Sequence, residues 1–243
     1  MLNLLLAERL KWKRTAITKI LWIAPLITLL LGAGLMGGPF FQTGTYNWWY
    51  TLLLPSALAM TCAFAIEKDR KLKLASILTL PIDLTKVWYS KIVACSIWLL
   101  MSTMVFFFMM NIGGTFFDSH YTLLQQIVGC FFIFFTMLWQ IPVCLFLAAK
   151  FGIYIAILLN IVGTVIGVVF AMSKLWYLMP YSITPRMMVP LLHILPNGLP
   201  ASVNSPLLTT TSLLFGSLIA CLLFIALTFI TALWFQKKGA IHQ

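Results

Sequence analysis

Residues 213–235 read Leu-Leu-Phe-Gly-Ser-Leu-Ile-Ala-Cys-Leu-Leu-Phe-Ile-Ala-Leu-Thr-Phe-Ile-Thr-Ala-Leu-Trp-Phe, 23 positions without a charge. About 20 mostly apolar residues cross a ~30 Å hydrocarbon layer as a helix, so this stretch predicts a membrane span. Working outward, residues 20–36, 49–66, 92–112, 123–149 and 152–172 have the same character. The first two of these are short, and residues 123–149 are long enough to tilt or to kink at Pro142. Gly37-Gly38-Pro39 reads as a turn, and no small-residue cleavage site follows the first span. Of the 243 residues, 62% are hydrophobic and 9% charged, where a soluble domain carries about 25% charged residues. A mean hydropathy of +1.01 agrees. There is too little polar surface to cover one soluble domain, and disordered, collagen-like and disulfide-scaffold classes fall with it. The fold class is all-α integral membrane, with six transmembrane helices.

The net charge of +11 comes from 16 Lys and Arg against 5 Asp and Glu. In a soluble protein such an excess points to nucleic acid. Here the basic residues sit between apolar runs, where they set topology and touch anionic lipid, so no nucleic-acid partner is expected. Arg9, Lys11, Lys13, Arg14 and Lys19 precede the first span, and Lys68, Arg70, Lys71, Lys73, Lys86 and Lys91 follow the second. Lys150, Lys237 and Lys238 bring that side to 14, against Lys174 and Arg186 alone on the other. The positive-inside rule then puts both termini in the cytoplasm, as six spans require.

Outside, residues 39–47 and 113–122 read as short loops without a basic residue. Residues 173–212 form a long outer loop with Pro180, Pro185, Pro190, Pro196, Pro200 and Pro206. Prolines at that density forbid one continuous helix, yet Met187, Met188, Val189, Leu191 and Leu192 are too apolar for a solvated loop. Interfacial or re-entrant pieces buried against protein satisfy both facts. The whole chain, 1–243, reads as a single transmembrane domain.

The searches for chemistry come back empty. There is no G-x-x-x-x-G-K-[ST] to cradle nucleotide phosphates, no H-E-x-x-H and no G-x-S-x-G. Cys62, Cys95, Cys130, Cys144 and Cys221 lie in apolar runs with no C-x-x-C, so they read as small hydrophobes, with no metal site or redox pair. Glu8, Glu67, Asp69, Asp83 and Asp118 all lie away from mid-membrane, where an ion-coupled carrier keeps an ionisable group. Gln140, Asn160 and Asn111 fall within or near spans and read as interhelical hydrogen-bonding residues rather than path lining. No catalytic residue is expected.

Two cytoplasmic elements look purposeful. In residues 1–19, Leu2, Leu5, Leu6, Ala7 and Leu10 recur at helical spacing, with Glu8, Arg9, Lys11, Lys13 and Arg14 toward the other side and Trp12 as a headgroup anchor. This predicts an amphipathic helix in the interface plane. Residues 67–91 form the largest cytoplasmic loop. In it Leu72, Leu74, Ile77, Leu78 and Leu80 make an apolar stripe after the charges Glu67 to Lys71. Pro81 ends the stripe, and Asp83 is placed to cap the next helix, which runs into Lys91 and the third span. Such a helix is what a cytoplasmic motor can grip.

The arrangement resembles the ABC-2 class of ABC-transporter permeases, in which a glutamate ends the second span, a short coupling helix follows and a Leu-Pro closes it. Glu67, Arg70, Lys71, Leu72, Leu74, Ile77, Leu78, Leu80 and Pro81 match those positions. The Gly-Thr typical of the class after the basic residues is absent, with Lys73-Leu74 near that place. A narrower resemblance covers nearly the whole chain. Leu5-Ala7-Glu8 with Lys13-Arg14-Thr15, Ala24-Pro25-Leu26, Asn47-Trp48-Trp49-Tyr50, Leu80-Pro81-Ile82-Asp83-Leu84 and Pro185-Arg186-Met187 through Leu195-Pro196-Asn197-Gly198 are similar to the lantibiotic-immunity permeases. That group protects producers of nisin-, epidermin- and mutacin-like peptides, as E-type or G-type subunits.

The resemblance implies a bacterial plasma-membrane exporter subunit that carries no cofactor of its own, with ATP and Mg held by a separate ATPase, two copies of which are expected. A second related permease, or a second copy of this chain, completes the assembly, and the substrate is a cationic amphipathic peptide. Arg186, Met187, Met188, Leu191 and Leu192 stand as substrate-contact candidates in the outer loop. The rival reading is a non-transporting membrane sensor or scaffold that binds peptide through that loop.

Overall fold

The computed structural model describes residues 2–13, 15–71, 83–117 and 121–240. Among them the secondary structure is helical, without a named strand. Helix α1 (Leu2–Trp12) precedes the first span, α2 (Ile17–Leu31), which runs through a π-helical turn (Gly32–Met36). The second span is built of α3 (Phe41–Trp48), a second π-helical turn (Trp49–Leu53) and α4 (Leu54–Lys71). Then come α5 (Leu84–Gly114), α6 (Leu123–Met137), α7 (Gln140–Lys150), α8 (Ile153–Phe170), α9 (Ile183–Leu192) and α10 (Thr211–Ala240). Six segments are long and apolar enough to cross a membrane: Ile17–Met36, Gly38–Glu67, Leu84–Gly114, Leu123–Lys150, Ile153–Phe170 and Thr211–Lys237. The expected six-helix membrane architecture is therefore present.

Two breaks in these helices follow from proline. Pro55 has no N–H, so the turn before it widens, and the N–H of Leu54 reaches the carbonyl of Trp49. Pro142 cannot bond the carbonyl of Leu138, four residues back, and the fourth span breaks at Leu138-Trp139 between α6 and α7. The fourth and fifth spans are joined through Gly152, whose φ of 105° only glycine adopts easily.

The second span departs from expectation. Residues 39–47, read as an outer loop, are mostly helix, and Phe41, Gln42, Thr43, Gly44, Thr45 and Tyr46 are buried. The span is 30 residues long rather than short. Its polar start is accommodated because Thr45 donates to the carbonyl of Phe41 (2.6 Å) and Gln42 accepts from the N–H of Tyr121 (3.1 Å). This span is the centre of the bundle, with 67% of its apolar window buried against 11% for the sixth. Trp49 stacks on Phe106 of the third span at 4.5 Å.

The segment between the fifth and sixth spans packs onto the bundle. Tyr181 lies so close to the fifth span that a Cβ on Gly167 would come within 2.5 Å of its backbone carbon. Asn160 of α8 donates to the carbonyl of Pro55 (2.8 Å) and accepts from the Tyr181 hydroxyl (3.0 Å). It thus joins the second span, the fifth span and the outer segment, the interhelical role expected of it. Among the described residues Asn111 bonds its own helix, donating to the carbonyl of Phe107 (2.8 Å), rather than another. Four of the five cysteines are buried as small hydrophobes; Cys221, on the sixth span, is exposed.

Candidate functional site

The bundle has two unlike ends. One carries α1, the start of α5, the α7–α8 turn and the last turns of α10; this is the basic end. There Trp88 of α5 donates to Thr231 of α10 (3.0 Å) and stacks on Phe235 (4.7 Å). Trp98 donates to the carbonyl of Ile17 (3.1 Å), fastening the third span to the start of the first.

Within this end lies a closed cluster of four charges from three elements. Lys91, on the second turn of α5 and fully buried, donates to Glu8 of α1 (3.0 Å), Asp69 of α4 (2.6 Å) and the carbonyl of Ala65 (3.3 Å). An ammonium has three N–H donors, and all are used. Lys11, one turn along α1, reaches Glu8 at 2.9 Å and Asp69 at 3.2 Å. Glu8 and Asp69 are 3% and 4% exposed. Two carboxylates against two ammoniums leave the cluster neutral, which is what permits it to be buried. Burial alone would lower the Lys11 ammonium, but the carboxylates of Glu8 and Asp69 outweigh it and hold its pKa above the ordinary lysine range.

This geometry corrects the reading of α1. Glu8 and Lys11 do not face away from the bundle with Arg9; they are turned into it, while Leu6 and Leu10 point outward at 48% and 63% exposure. The reason is electrostatic: Lys91 is fully buried, and α1 supplies Glu8 beside Asp69 of α4 to pair with it. Trp12 is half-buried against the bundle, Arg9 is exposed, and Arg14 lies outside the described residues.

Of the expected ATPase-coupling residues, Glu67 closes the apolar segment Gly38–Glu67 within α4, which continues to Lys71. Arg70 and Lys71 continue α4 as backbone. Leu72, Leu74, Ile77, Leu78, Leu80 and Pro81 lie in residues 72–82, outside the described residues. Asp83 caps α5, accepting from the N–H groups of Thr85 (2.9 Å) and Lys86 (3.4 Å). Residues 72–82 are thus flanked by α4 and α5, the two helices that Asp69 and Lys91 clamp together. The sequence reading did not place Asp69 and Lys91 in a site; their signal was an acid and a base standing at opposite ends of residues 67–91, each beside an apolar span.

At the far end the substrate-contact candidates are not gathered on a surface. Met187, Met188 and Leu192 are fully buried and Leu191 is half-buried, because α9 turns its apolar side into the bundle. In this conformation they are packing residues. Arg186, at 8% exposure, donates to the carbonyl of Ala171 (3.2 Å). Asn47 donates to the carbonyl of Pro196 (3.2 Å), and Tyr121 to that of Leu192 (2.8 Å), so the segment between the fifth and sixth spans is tied to the second span and to the connection before α6.

A six-helix bundle of this kind, with a buried four-charge cluster at its basic end and no metal-binding cluster among the described residues, is a multi-pass membrane protein. Residues 4–167 match the family model described as ABC-2 family transporter protein, and the chain belongs to that family. It is thereby a membrane permease component of an ABC transporter, a class that works with separate ABC ATPases. No curated protein and no solved structure gives a significant match.

Proposed function

We propose that this chain is the permease half of an exporter that confers immunity to lantibiotic-type peptides by expelling them from the membrane to the medium. Both termini and the loop at residues 72–82 face the cytoplasm in this reading, and ATP with Mg is bound by the partner ATPase. The observation that carries it is the Glu8–Lys11–Asp69–Lys91 cluster. A motor gripping the loop moves α4 and α5, and the cluster makes α1 move with them. Force at the loop is then delivered to the first three spans together rather than dissipated in a hinge. The peptide assignment is supported by the motif stretches similar to immunity permeases. Two of these, beginning at Asn47 and ending at Gly198, meet through the Asn47–Pro196 hydrogen bond.

The test is co-purification. The chain should bring down a P-loop ATPase from its native membrane. Cells expressing both should resist a nisin-like peptide only while that ATPase hydrolyses ATP. Resistance that persists with a hydrolysis-dead ATPase would leave the sensor or scaffold reading in its place.

A further inference from the structure

A cleft of about 420 Å³ opens at the far end, between residues 174–177, Arg186 of α9 and the first turns of the sixth span. Its polar wall holds Lys174, Arg186 and the hydroxyl residues Thr209, Thr211 and Ser212. Arg186 is more than nine-tenths buried; one guanidinium nitrogen bonds Ala171, the plane lies 5.9 Å from the Trp176 ring, and Nε is buried without a partner. Lys174 is exposed and makes no ion pair among the described residues. Among the described residues no carboxylate lines the cleft: Glu8, Glu67, Asp69 and Asp83 belong to the basic end. The first turn of α10 adds the positive end of a 30-residue helix dipole.

The other wall is apolar. Phe215 and Ile219 of α10 line the cleft. The same helix continues outward as a face of Phe215, Leu218 and Leu222, exposed by 58%, 54% and 66%. The cleft therefore joins two cations to an exposed hydrocarbon face about 10 Å long, against which part of an acyl chain can lie.

We propose that this cleft binds an anionic phospholipid of the outer leaflet. Arg186 and Lys174 take the headgroup phosphate, and the acyl chain lies along Phe215, Leu218 and Leu222. A guanidinium with a free N–H suits phosphate oxygens, and the site is independent of the exported cargo.

The experiment is native mass spectrometry of the purified full chain released from mixed dioleoylphosphatidylglycerol and dioleoylphosphatidylcholine. The wild-type chain should retain phosphatidylglycerol over phosphatidylcholine. Lys174→Gln, at an exposed position that packing does not depend on, should lower that retention about fivefold, the factor one basic residue provides at an anionic surface. Val203→Gln, at an exposed uncharged position of the same end outside the cleft, should leave it unchanged, and inorganic phosphate should not displace the lipid. Equal retention of the two lipids, or equal effects of the two substitutions, would overturn the proposal. Displacement by inorganic phosphate would overturn it too, showing a site for the free anion.

Discussion

Lys91 shows how one residue decides the character of a membrane protein's end. Removing it leaves two buried carboxylates facing one part-exposed ammonium. Breaking a buried pair in this way costs about 3–5 kcal/mol. Lys91→Met should therefore unfold at markedly lower temperature in detergent than the parent. Glu8→Gln added to Lys91→Met restores neutrality and should recover part of the loss. A double-mutant cycle by thermal melt, with no recovery, would show that the four charges do not act as a unit. Lys11 supplies a pH signature. Its folded pKa is raised, so its contribution is complete below the ordinary lysine value of 10.5 and is lost as pH rises through the higher folded value. The melting temperature should hold on going from neutral pH to about 10 and then fall. Lys11→Gln should lower the melting temperature at neutral pH and shrink the alkaline drop.

At the scale of elements, the fifth span and the outer segment depend on a close approach at Gly163 and Gly167, where a Cβ would meet Tyr181 at 2.5 Å in each case. Gly167→Val should push the segment off α8 and destabilise the protein by ~1–3 kcal/mol, read as a lower melting temperature. The coupling loop offers a different test. If the Leu72, Leu74, Ile77, Leu78 and Leu80 stripe docks an ATPase, Leu78→Asp should leave insertion intact and abolish ATPase pull-down. The spans were legible because a 20-residue apolar run has little else it can be. The start of the second span was not, since Gln42-Thr43-Gly44-Thr45 looks like a loop until Tyr121, 79 residues away, supplies its hydrogen bond. Met187 and Met188 looked like a recognition surface because sequence shows that residues are apolar, not which way a short helix is turned. Glu8, Asp69 and Lys91 were visible as charges, but their convergence spans 83 residues of chain and depends on the packing of three helices.

For the whole molecule, the 14-to-2 distribution of basic residues predicts the orientation. In a cysteine-free background, a cysteine at exposed Val203 should be labelled from outside intact cells, and one at Lys150 spared. The reverse pattern would invert the topology. The account as a whole rests on force reaching the spans from a motor at the basic end, through a clamp that holds α1, α4 and α5 together. The most direct measurement is ATP-driven release of a fluorescent nisin-like peptide from proteoliposomes holding this chain and its partner ATPase. Release should require ATP hydrolysis and should fall sharply for a Lys91→Met complex that still binds the ATPase. Release that proceeds without hydrolysis, or that is undiminished in that complex, would contradict it.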